Sequence, residues 1–323
     1  MKPTALTRRT ALGRLLGTAA TLGTALAAAP GRAFAKAAPK KTPLAFDDPI
    51  WNREMYARLE GDIDGGKQVT GTGTGVVHGV REGEALKPLF GFDLFATHRV
   101  LKQPDGSYQR LCREVVFYRD LKTGELLDEW VNPYSGERVK VVDVANDPFN
   151  FRISENFPDP PSYGGLNKDK PPKRPFLLNW GLQGHTLTLD TDIHLYYPSA
   201  LNPAKWPRES SGPMNRVSEL FRYFIRREDA ENWDLTHLPH DGVWSRVTPW
   251  LPWMLMGPAP GHILYMGRFS SIERPELADA RVLARVRERY PLYLTAPEQW
   301  VEPSLSSLEN YARTQQPAPP KGS

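Results

Sequence analysis

Apolar runs separated by glycine turns constrain the fold of this chain more than any other feature. Residues 108–148 are rich in Val, Leu, Phe and Tyr, and they are interrupted by Thr123-Gly124-Glu125 and Ser135-Gly136-Glu137. Gly124 and Gly136 stand where a tight turn needs a positive φ, which glycine adopts without steric cost. The stretch therefore predicts an antiparallel meander of three strands.

Further strand-like runs lie on both sides of this meander, at residues 89–100, 176–180, 185–197, 220–225, 243–257 and 262–269. At least eight such runs, with helices only near the ends, favour a mainly β antiparallel sheet that closes into a barrel or a strongly coiled sheet, as in lipocalins and other calycins. We predict one domain over residues 47–313. The proline-rich stretch 157–175 is predicted to be a surface loop.

Residues 71–79 alternate glycine with threonine and valine before the first of these runs. The order G-x-G-x-x-G leading into a helix is absent, so a phosphate-binding loop is not indicated. We interpret the stretch as a strand whose glycines let a closing sheet bend.

A helix is predicted near the start of the domain. Asp47-Asp48-Pro49 supplies an N-cap and a proline at the first helical position. The apolar residues of its buried stripe recur at four-residue spacing: Trp51, Met55 and Leu59. The charged residues expected to face solvent are Arg53, Glu54 and Arg58. This helix is predicted to plug or flank the sheet.

The first 35 residues resemble a twin-arginine export signal. Arg8-Arg9 precedes an apolar run at residues 15–29, and Ala33-Phe34-Ala35 has the small-x-small pattern of a cleavage site. Glycines leave too short an apolar span for a membrane anchor. We predict that the twin-arginine export machinery carries the folded chain to the bacterial periplasm or medium, without stable membrane insertion after cleavage. Residues 36–46 are then a flexible linker, and residues 314–323 a disordered tail.

The charge balance argues against a nucleic-acid partner. The sequence has 41 basic and 37 acidic residues, but five basic and no acidic residues fall in the first 35, which leaves 36 against 37. Such a chain lacks the basic surface of a nucleic-acid-binding protein. The single cysteine, Cys112, excludes an intramolecular disulfide, and its place in a strand predicts a buried packing residue.

Two separated motifs form a recognisable pair. The first runs from Arg113-Glu114-Val115 through Trp130-x-Asn132-Pro133 to Asn146-Asp147-Pro148, and the second is PWLPWMLMGPAPG at residues 249–261. Together they resemble a bacterial and fungal family catalogued as domain of unknown function 1838, over most of residues 47–313. The resemblance implies a barrel-like fold and frequent export. It implies no reaction and no catalytic residues.

The first strand of the meander carries candidates for chemistry. Period-two alternation puts Cys112, Glu114 and Tyr118 on one face and Arg113 on the other. In a barrel interior, Glu114 would orient a polar ligand or act as a general acid or base, and Arg113 would stabilise an oxyanion. The alternative is that these charges pair with others and only tie strands together.

A second candidate set alternates along residues 188–196, namely Thr188, Asp190, Asp192, His194 and Tyr196. Two carboxylates and an imidazole at this spacing can form an acid/base set, contact a polar ligand or bind a hard metal ion. The solvated outer face of a strand gives the same alternation without a function. We assign no metal site.

Aromatic residues supply candidate pocket walls. In Trp250-Leu251-Pro252-Trp253 a proline-broken strand carries two indoles, which makes it a poor sheet interior and a good wall for a small-ligand site. The residues assigned to ligand contact are Tyr118, Trp130, Asp192, Tyr196, Trp250 and Trp253. The candidate catalytic residues are Glu114, His194 and Arg113.

Three functions stay open. The first is an exported barrel that binds an apolar or aromatic small molecule. The second is a cofactor-independent lyase, isomerase or hydrolase acting on an aromatic or terpenoid-like compound in the same cavity. The third is a structural module of the cell envelope with a filled interior. No G-x-S-x-G, H-E-x-x-H or P-loop motif occurs, and we predict no cofactor.

Overall fold

The computed structural model describes residues 41–158 and 172–320. The predicted export signal at residues 1–35, residues 36–40 of the predicted linker and most of the proline-rich loop 157–175 lie outside these ranges. They stay predictions. The described part of the chain belongs to one compact unit that runs from Pro39 to Ser323.

Short helices flank a set of β-strands. The strands are β1 (Val69–Val80), β2 (Lys87–Lys102), β3 (Tyr108–Arg119), β4 (Glu129–Val131), β5 (Arg138–Lys140), β6 (Val144–Asn146), β7 (Phe151–Ile153), β8 (Asn179–Gln183), β9 (Thr186–Pro198), β10 (Met214–Arg226), β11 (Asp241–Thr248) and β12 (His262–Ile272). The helices are α1 (Pro49–Glu60), α2 (Arg227–Glu231), α3 (Ala280–Arg289) and α4 (Ser307–Thr314), with 3-10 turns at Pro252–Met254, Pro275–Leu277 and Pro291–Leu294.

Ten of the strands form one antiparallel sheet. Its order is β6-β3-β2-β1-β12-β11-β10-β9-β8, and β7 also pairs with β3. The remaining two strands, β4 and β5, form a separate two-stranded sheet. The prediction of a mainly β, antiparallel fold with a few short helices is confirmed. Among the described residues no strand ladder joins β8 to β6 or β7, so the pairing alone does not close the predicted barrel.

The predicted three-strand meander is only partly correct. Gly124 and Gly136 do adopt positive φ angles, of 75° and 71°. However, the third strand of the main sheet at this point is β6, which pairs with β3, while the β4–β5 hairpin leaves the sheet. The hairpin packs through its Trp130 side chain instead. The Trp130 ring lies 5.2 Å from the ring of Phe90 on β2 and 5.7 Å from the ring of Trp253, measured between centroids.

Helix α1 forms where the sequence predicts it. The Asp48 carboxylate accepts a hydrogen bond of 2.9 Å from Ile50 N, and Pro49 is the first helical residue. The predicted stripe is buried, at Trp51, Met55 and Leu59. Trp51 packs edge to face on Trp180 of β8, with ring centroids 5.3 Å apart, so the helix flanks the sheet as expected.

Arg58 of α1 is buried, so the prediction that it faces solvent is wrong. Only 1% of its surface is exposed. Its Nε donates to Leu235 O at 2.8 Å, and its Nη2 donates to Asn232 O at 2.6 Å. Burial lowers the pKa of Arg58 to about 10. Backbone carbonyls of the loop between α2 and β11 thus replace water as partners of the guanidinium group.

Helix α3 covers one face of β2 and β3. The Asp279 carboxylate caps the helix by accepting a hydrogen bond from Arg281 N at 2.9 Å. The side chains buried in this contact are Phe95, Val115 and Phe117 of the sheet and Val282, Leu283 and Val286 of the helix. Because successive residues of a strand point to opposite faces, Glu114 and Tyr118 lie on the other face. We call that face the inner face.

None of the helices within residues 41–158 and 172–320 combines the length and the apolar character needed to cross a bilayer.

Candidate functional site

A cavity of about 1560 Å³ lies against the inner face of the large sheet. Side chains from β2, β3, β9, β10, β11 and β12 line it, together with residues of α1 and α4. Ligand pockets in proteins usually have volumes of roughly 300–1,000 Å³. The cavity is therefore large enough for a small molecule.

Glycines on β1 create part of this space. Gly71, Gly73 and Gly75 are two residues apart and share the inner face. A Cβ atom on Gly75 would lie 2.6 Å from Phe92 Cε1, whereas a Cβ atom on Gly71 would come no closer than 3.8 Å to His98. The Phe92 ring thus occupies the space over β1 that a side chain at position 75 would need.

One end of the cavity carries a polar group of two buried tyrosines and three half-buried residues, which we call the tyrosine–arginine cluster: Tyr118, Glu219, Trp244, Arg246 and Tyr265. The two tyrosine hydroxyls lie 3.1 Å apart. Glu219 accepts a hydrogen bond of 3.0 Å from Trp244 Nε1, and its other oxygen lies 3.6 Å from Arg246 Nη1. In strand register, Arg246 stands between Glu219 of β10 and Tyr265 of β12, which sets the three side chains in one row.

Both tyrosines of this cluster are neutral hydrogen-bonding groups. Burial raises the pKa of Tyr265 to about 12 and the pKa of Tyr118 well above its ordinary value. Each hydroxyl therefore keeps its proton at neutral pH and can donate a hydrogen bond.

Glu114 faces the cavity from β3 and forms no ion pair with any described residue. Its Oε1 accepts a hydrogen bond of 2.7 Å from Asn146 Nδ2. Burial raises the pKa of the Glu114 carboxyl, and the charge of Glu219 adds to the effect, while Asn146, Arg110 and Arg246 oppose it. Glu114 is thus a titratable group without a basic partner in the cavity wall.

We expect Glu114→Gln to stabilise the protein at alkaline pH. The folded state keeps the Glu114 proton to a higher pH than the unfolded chain, so stability at this site is lost as the pH rises above the usual carboxyl pKa, about 4.3. The glutamine variant does not ionise. Thermal unfolding should show a Tm above that of the wild type at pH 8 and an advantage that shrinks towards pH 4. Burial also raises the pKa of Asp143, but this residue is present in both proteins, so its contribution cancels in the Tm difference. A Tm difference independent of pH would contradict this account.

The other end of the cavity, beside α1, carries a second polar group. Glu60 Oε2 lies 2.8 Å from Arg110 Nε, and Arg110 Nη2 lies 3.0 Å from His98 Nδ1. A guanidinium only donates, so His98 Nδ1 accepts and the ring proton resides on Nε2. Burial lowers the pKa of His98 well below its ordinary value, which keeps the imidazole neutral.

The structure places five of the residues singled out in the sequence around the cavity, and Asp192 of β9 is the most exposed of them. Glu114, Tyr118, Trp250 and Trp253 all line the cavity. Trp250 is held by a hydrogen bond of 2.9 Å from its Nε1 to Ala259 O. Trp130 packs on Trp253 and so lies behind the cavity wall.

Of the predicted residues of β9, Asp192 borders the cavity, whereas His194 and Tyr196 do not line it. His194 Nε2 is 3.1 Å from Asp192 Oδ2, and both side chains are about 60% exposed. Tyr196 is 59% exposed on the same side. The inner face of β9 is formed instead by its apolar residues, such as the fully buried Leu189. His194 therefore does not meet Glu114, and the arrangement matches a solvated outer face.

Arg113 also points away from the cavity. Its Nε lies 2.9 Å from Asp147 Oδ1, and its Nη1 donates to Thr295 O at 2.7 Å. Arg113 thus ties β3 to the segment after α3, which matches the structural alternative for this residue.

Several cavity residues escape the sequence argument, namely His98, Arg110, Glu219, Arg246 and Tyr265. The alternating glycines of β1 are a signal that could have pointed to them, because three glycines on one strand face leave room for side chains from other strands. Alternation within one strand does not reveal which of its two faces is the inner one.

The described residues offer little to metal or thiol chemistry. Among them, no group of three or more His, Cys, Asp or Glu side chains could hold a metal ion. Cys112 is fully buried, as predicted, and burial raises the pKa of its thiol to about 12. A thiol with so high a pKa is a poor nucleophile.

Comparison with known proteins gives a family but no function. No curated protein matches the chain. One family model, described as protein of unknown function (DUF1838), matches residues 66–315. The matched region contains every strand described above, α4 and the whole tyrosine–arginine cluster. Because the match covers well over half of the 323 residues, the chain belongs to the DUF1838 family.

Proposed function

We propose that the protein binds an apolar or aromatic small molecule in the cavity on the inner face of its sheet. The observation that carries this proposal is the cavity of about 1560 Å³, which has tryptophan and phenylalanine walls and a few buried polar groups. That combination is typical of ligand sites. A structural module would need a filled interior, so we do not carry that alternative further.

Contacts across the sheet support a barrel-like curvature around the ligand. In the ladder, β3 and β12 are three strand spacings apart, or about 14 Å in a flat sheet. The hydroxyls of Tyr118 and Tyr265, on these two strands, are nevertheless 3.1 Å apart. Phe157 N also donates to Arg174 O at 2.9 Å, which links the chain after β7 to the chain before β8. We therefore propose that the sheet curls round the cavity.

The proposed walls are aromatic. Phe92 of β2 and Trp244 of β11 pack edge to face with ring centroids 5.4 Å apart. Tyr118 and Trp253 lie 5.3 Å apart by the same measure. A flat apolar ligand between such rings would gain both burial and ring contacts.

Filling the cavity should abolish binding. Gly71→Phe adds a ring at a position where a Cβ atom meets no atom closer than 3.8 Å, so the ring has room only in the cavity. The probe is N-phenyl-1-naphthylamine, an uncharged aromatic amine whose fluorescence rises in apolar surroundings. We expect saturable binding to the wild type and about tenfold weaker binding to the variant.

The matched control is Val243→Phe, which places the same ring on the outer face of β11, where Val243 is 48% exposed. It should bind the probe like the wild type. Gly71→Leu serves as a smaller second filling variant, and circular dichroism verifies that each protein is folded. No saturable binding by the wild type, or equal binding by all four proteins, would overturn the proposal.

Acid–base catalysis in the same cavity is a second candidate. It is favoured by Glu114, a buried carboxyl whose pKa is raised, facing Glu219, a carboxylate held by Trp244 and Arg246. Two carboxyl groups in different environments are a common acid/base arrangement. If the protein only binds its ligand, Glu114→Gln should leave the ligand bound and chemically unaltered. An enzyme with this variant would still bind its substrate but would lose turnover.

A further inference from the structure

We propose that the cavity selects an uncharged apolar molecule with a hydrogen-bond-accepting oxygen, such as a ketone or an ester, and that the tyrosine–arginine cluster binds this oxygen. The inference rests on the proposed function and names its ligand class. It follows from a count of donors and acceptors in the cavity wall and from the charge balance.

The cluster has a surplus of hydrogen-bond donors. The pair of Tyr118 and Tyr265 holds two hydroxyl protons, of which only one is used between them. Trp253 is 3% exposed, and its Nε1 has no partner among the described residues. The Nε of Arg246 has none either. Three kinds of donor therefore lie at one end of the cavity without an acceptor.

The acceptors at this end are already engaged. Glu219 uses one carboxylate oxygen for Trp244 and faces Arg246 with the other. A buried donor without a partner costs roughly 1–3 kcal/mol. A ligand oxygen that accepted one or two of these hydrogen bonds would remove that cost, whereas a ligand that only donates would not.

The α1 end shows the same imbalance. His98 Nε2, which carries the ring proton, and Arg110 Nη1 both lack a partner among the described residues. One unpaired acceptor also borders the cavity, Glu209 Oε2, but the other oxygen of Glu209 accepts from Ala318 N of the C-terminal segment. Away from that segment, the fully buried atoms of the wall that lack a partner are donors, and Glu114 adds a carboxyl whose Oε1 already accepts from Asn146.

The charges of the wall favour an uncharged ligand. Arg246 faces Glu219, and Arg110 is paired with Glu60, so the two guanidinium groups are neutralised by the wall itself. A carboxylate ligand would enter beside Glu114 and Glu219 without a free cation. An ammonium ligand offers no acceptor to the unpaired donors. Glu219 is already held by Trp244 and Arg246. Glu114 would have to ionise in its buried position to pair with the ammonium group. Burying either charge without a partner costs more than burying a carbonyl group.

The experiment compares four two-ring probes that differ only in the group at position 2 of naphthalene. They are 2-acetylnaphthalene, 2-naphthoate, 2-(aminomethyl)naphthalene and 2-ethylnaphthalene, each measured by displacement of N-phenyl-1-naphthylamine. We expect the ketone to bind about tenfold tighter than the hydrocarbon, the equivalent of one hydrogen bond, and both charged probes to bind more weakly than the ketone.

A variant locates the oxygen. Tyr118→Phe combined with Tyr265→Phe removes both hydroxyls, because either one alone would keep a free proton. This double variant should reduce ketone affinity about tenfold, while the affinity for 2-ethylnaphthalene stays unchanged. Tyr134→Phe is the matched control, because Tyr134 packs against Trp250 outside the cavity lining. It should leave both affinities unchanged.

The outcomes separate the two proposals. Suppose that Gly71→Phe weakens binding of the probes, but the ketone binds no tighter than the hydrocarbon or a charged probe binds most tightly. The proposed ligand class is then wrong, and binding in the cavity stands. If the ketone is preferred but the double variant of Tyr118 and Tyr265 lowers both affinities equally or neither, the assignment to the cluster is wrong. If none of the four binds and the reporter does not bind either, the proposed function itself fails.

Discussion

Gly75→Ala should lower the free energy of unfolding by about 3 kcal/mol, because overpacking of a filled interior forces neighbouring atoms apart. The added Cβ atom would lie 2.6 Å from Gly267 Cα and 2.6 Å from Phe92 Cε1, and it would also press on the carbonyl oxygen of Met266. Two of these atoms belong to the backbone of β12, which cannot move without breaking its pairing with β1. Urea unfolding followed by tryptophan fluorescence measures the loss.

The control for this prediction is Gly71→Ala on the same face of the same strand. Its Cβ atom would make only ordinary contacts, at 3.8 Å from His98 and 3.9 Å from Ala96. Replacing glycine by alanine where the backbone tolerates it stabilises by about 0.4–1 kcal/mol. Equal effects of the two substitutions would show that β1 and β12 do not approach as described.

Arg58→Met should cost about 4 kcal/mol of stability, since it removes three hydrogen bonds of a buried guanidinium to backbone carbonyls and leaves one of these carbonyls without a donor. The carbonyl of Leu235 loses its donor, while those of Asp229 and Asn232 lose one of two donors and keep the backbone N–H groups of Asn232 and Leu235, at 3.2 and 3.4 Å. Methionine fills much of the volume but donates no hydrogen bond. The expected result is a lower urea midpoint with an unchanged slope, which indicates lost stability without a change in the unfolded surface.

Arg138→Met is the matched control for this change. Arg138 is paired with Glu129 at 3.3 Å, but its side chain is 67% exposed. Exposed ion pairs contribute about 0–1 kcal/mol, so the control should lie close to the wild type. If Arg58→Met also lies within about 1 kcal/mol of the wild type, the carbonyls of the loop must have found other partners.

Local signals account for the parts of the fold that the sequence predicts correctly. Asp48-Pro49 starts α1, and Gly124 and Gly136 make their turns, because each signal acts within a few residues of itself. The environment of Arg58 depends on carbonyls 171 to 177 residues away in the sequence. The four-residue spacing of apolar side chains within α1 therefore cannot reveal that Arg58 is buried. The departure of the β4–β5 hairpin likewise depends on the distant ring of Trp253.

The candidate site is predictable to a smaller degree. Strand alternation on β3 and the proline-broken Trp corner point to Glu114, Tyr118, Trp250 and Trp253, and these side chains line the cavity; their roles in binding or catalysis stay predictions. Alternation on β9 gave two possible faces, and the polar one with His194 lies outside. The row that joins Arg246 to its neighbours depends on the register of three strands, which no single segment of sequence specifies.

Native mass spectrometry tests the central claim, a cavity that holds a small molecule, most directly. The protein is purified under non-denaturing conditions from cells that make it, beside Gly71→Phe. We predict that the wild type carries additional mass from one bound molecule, which denaturation removes, and that Gly71→Phe does not carry it. A wild-type ion at the mass of the polypeptide alone, even after incubation with excess 2-acetylnaphthalene, would contradict the account.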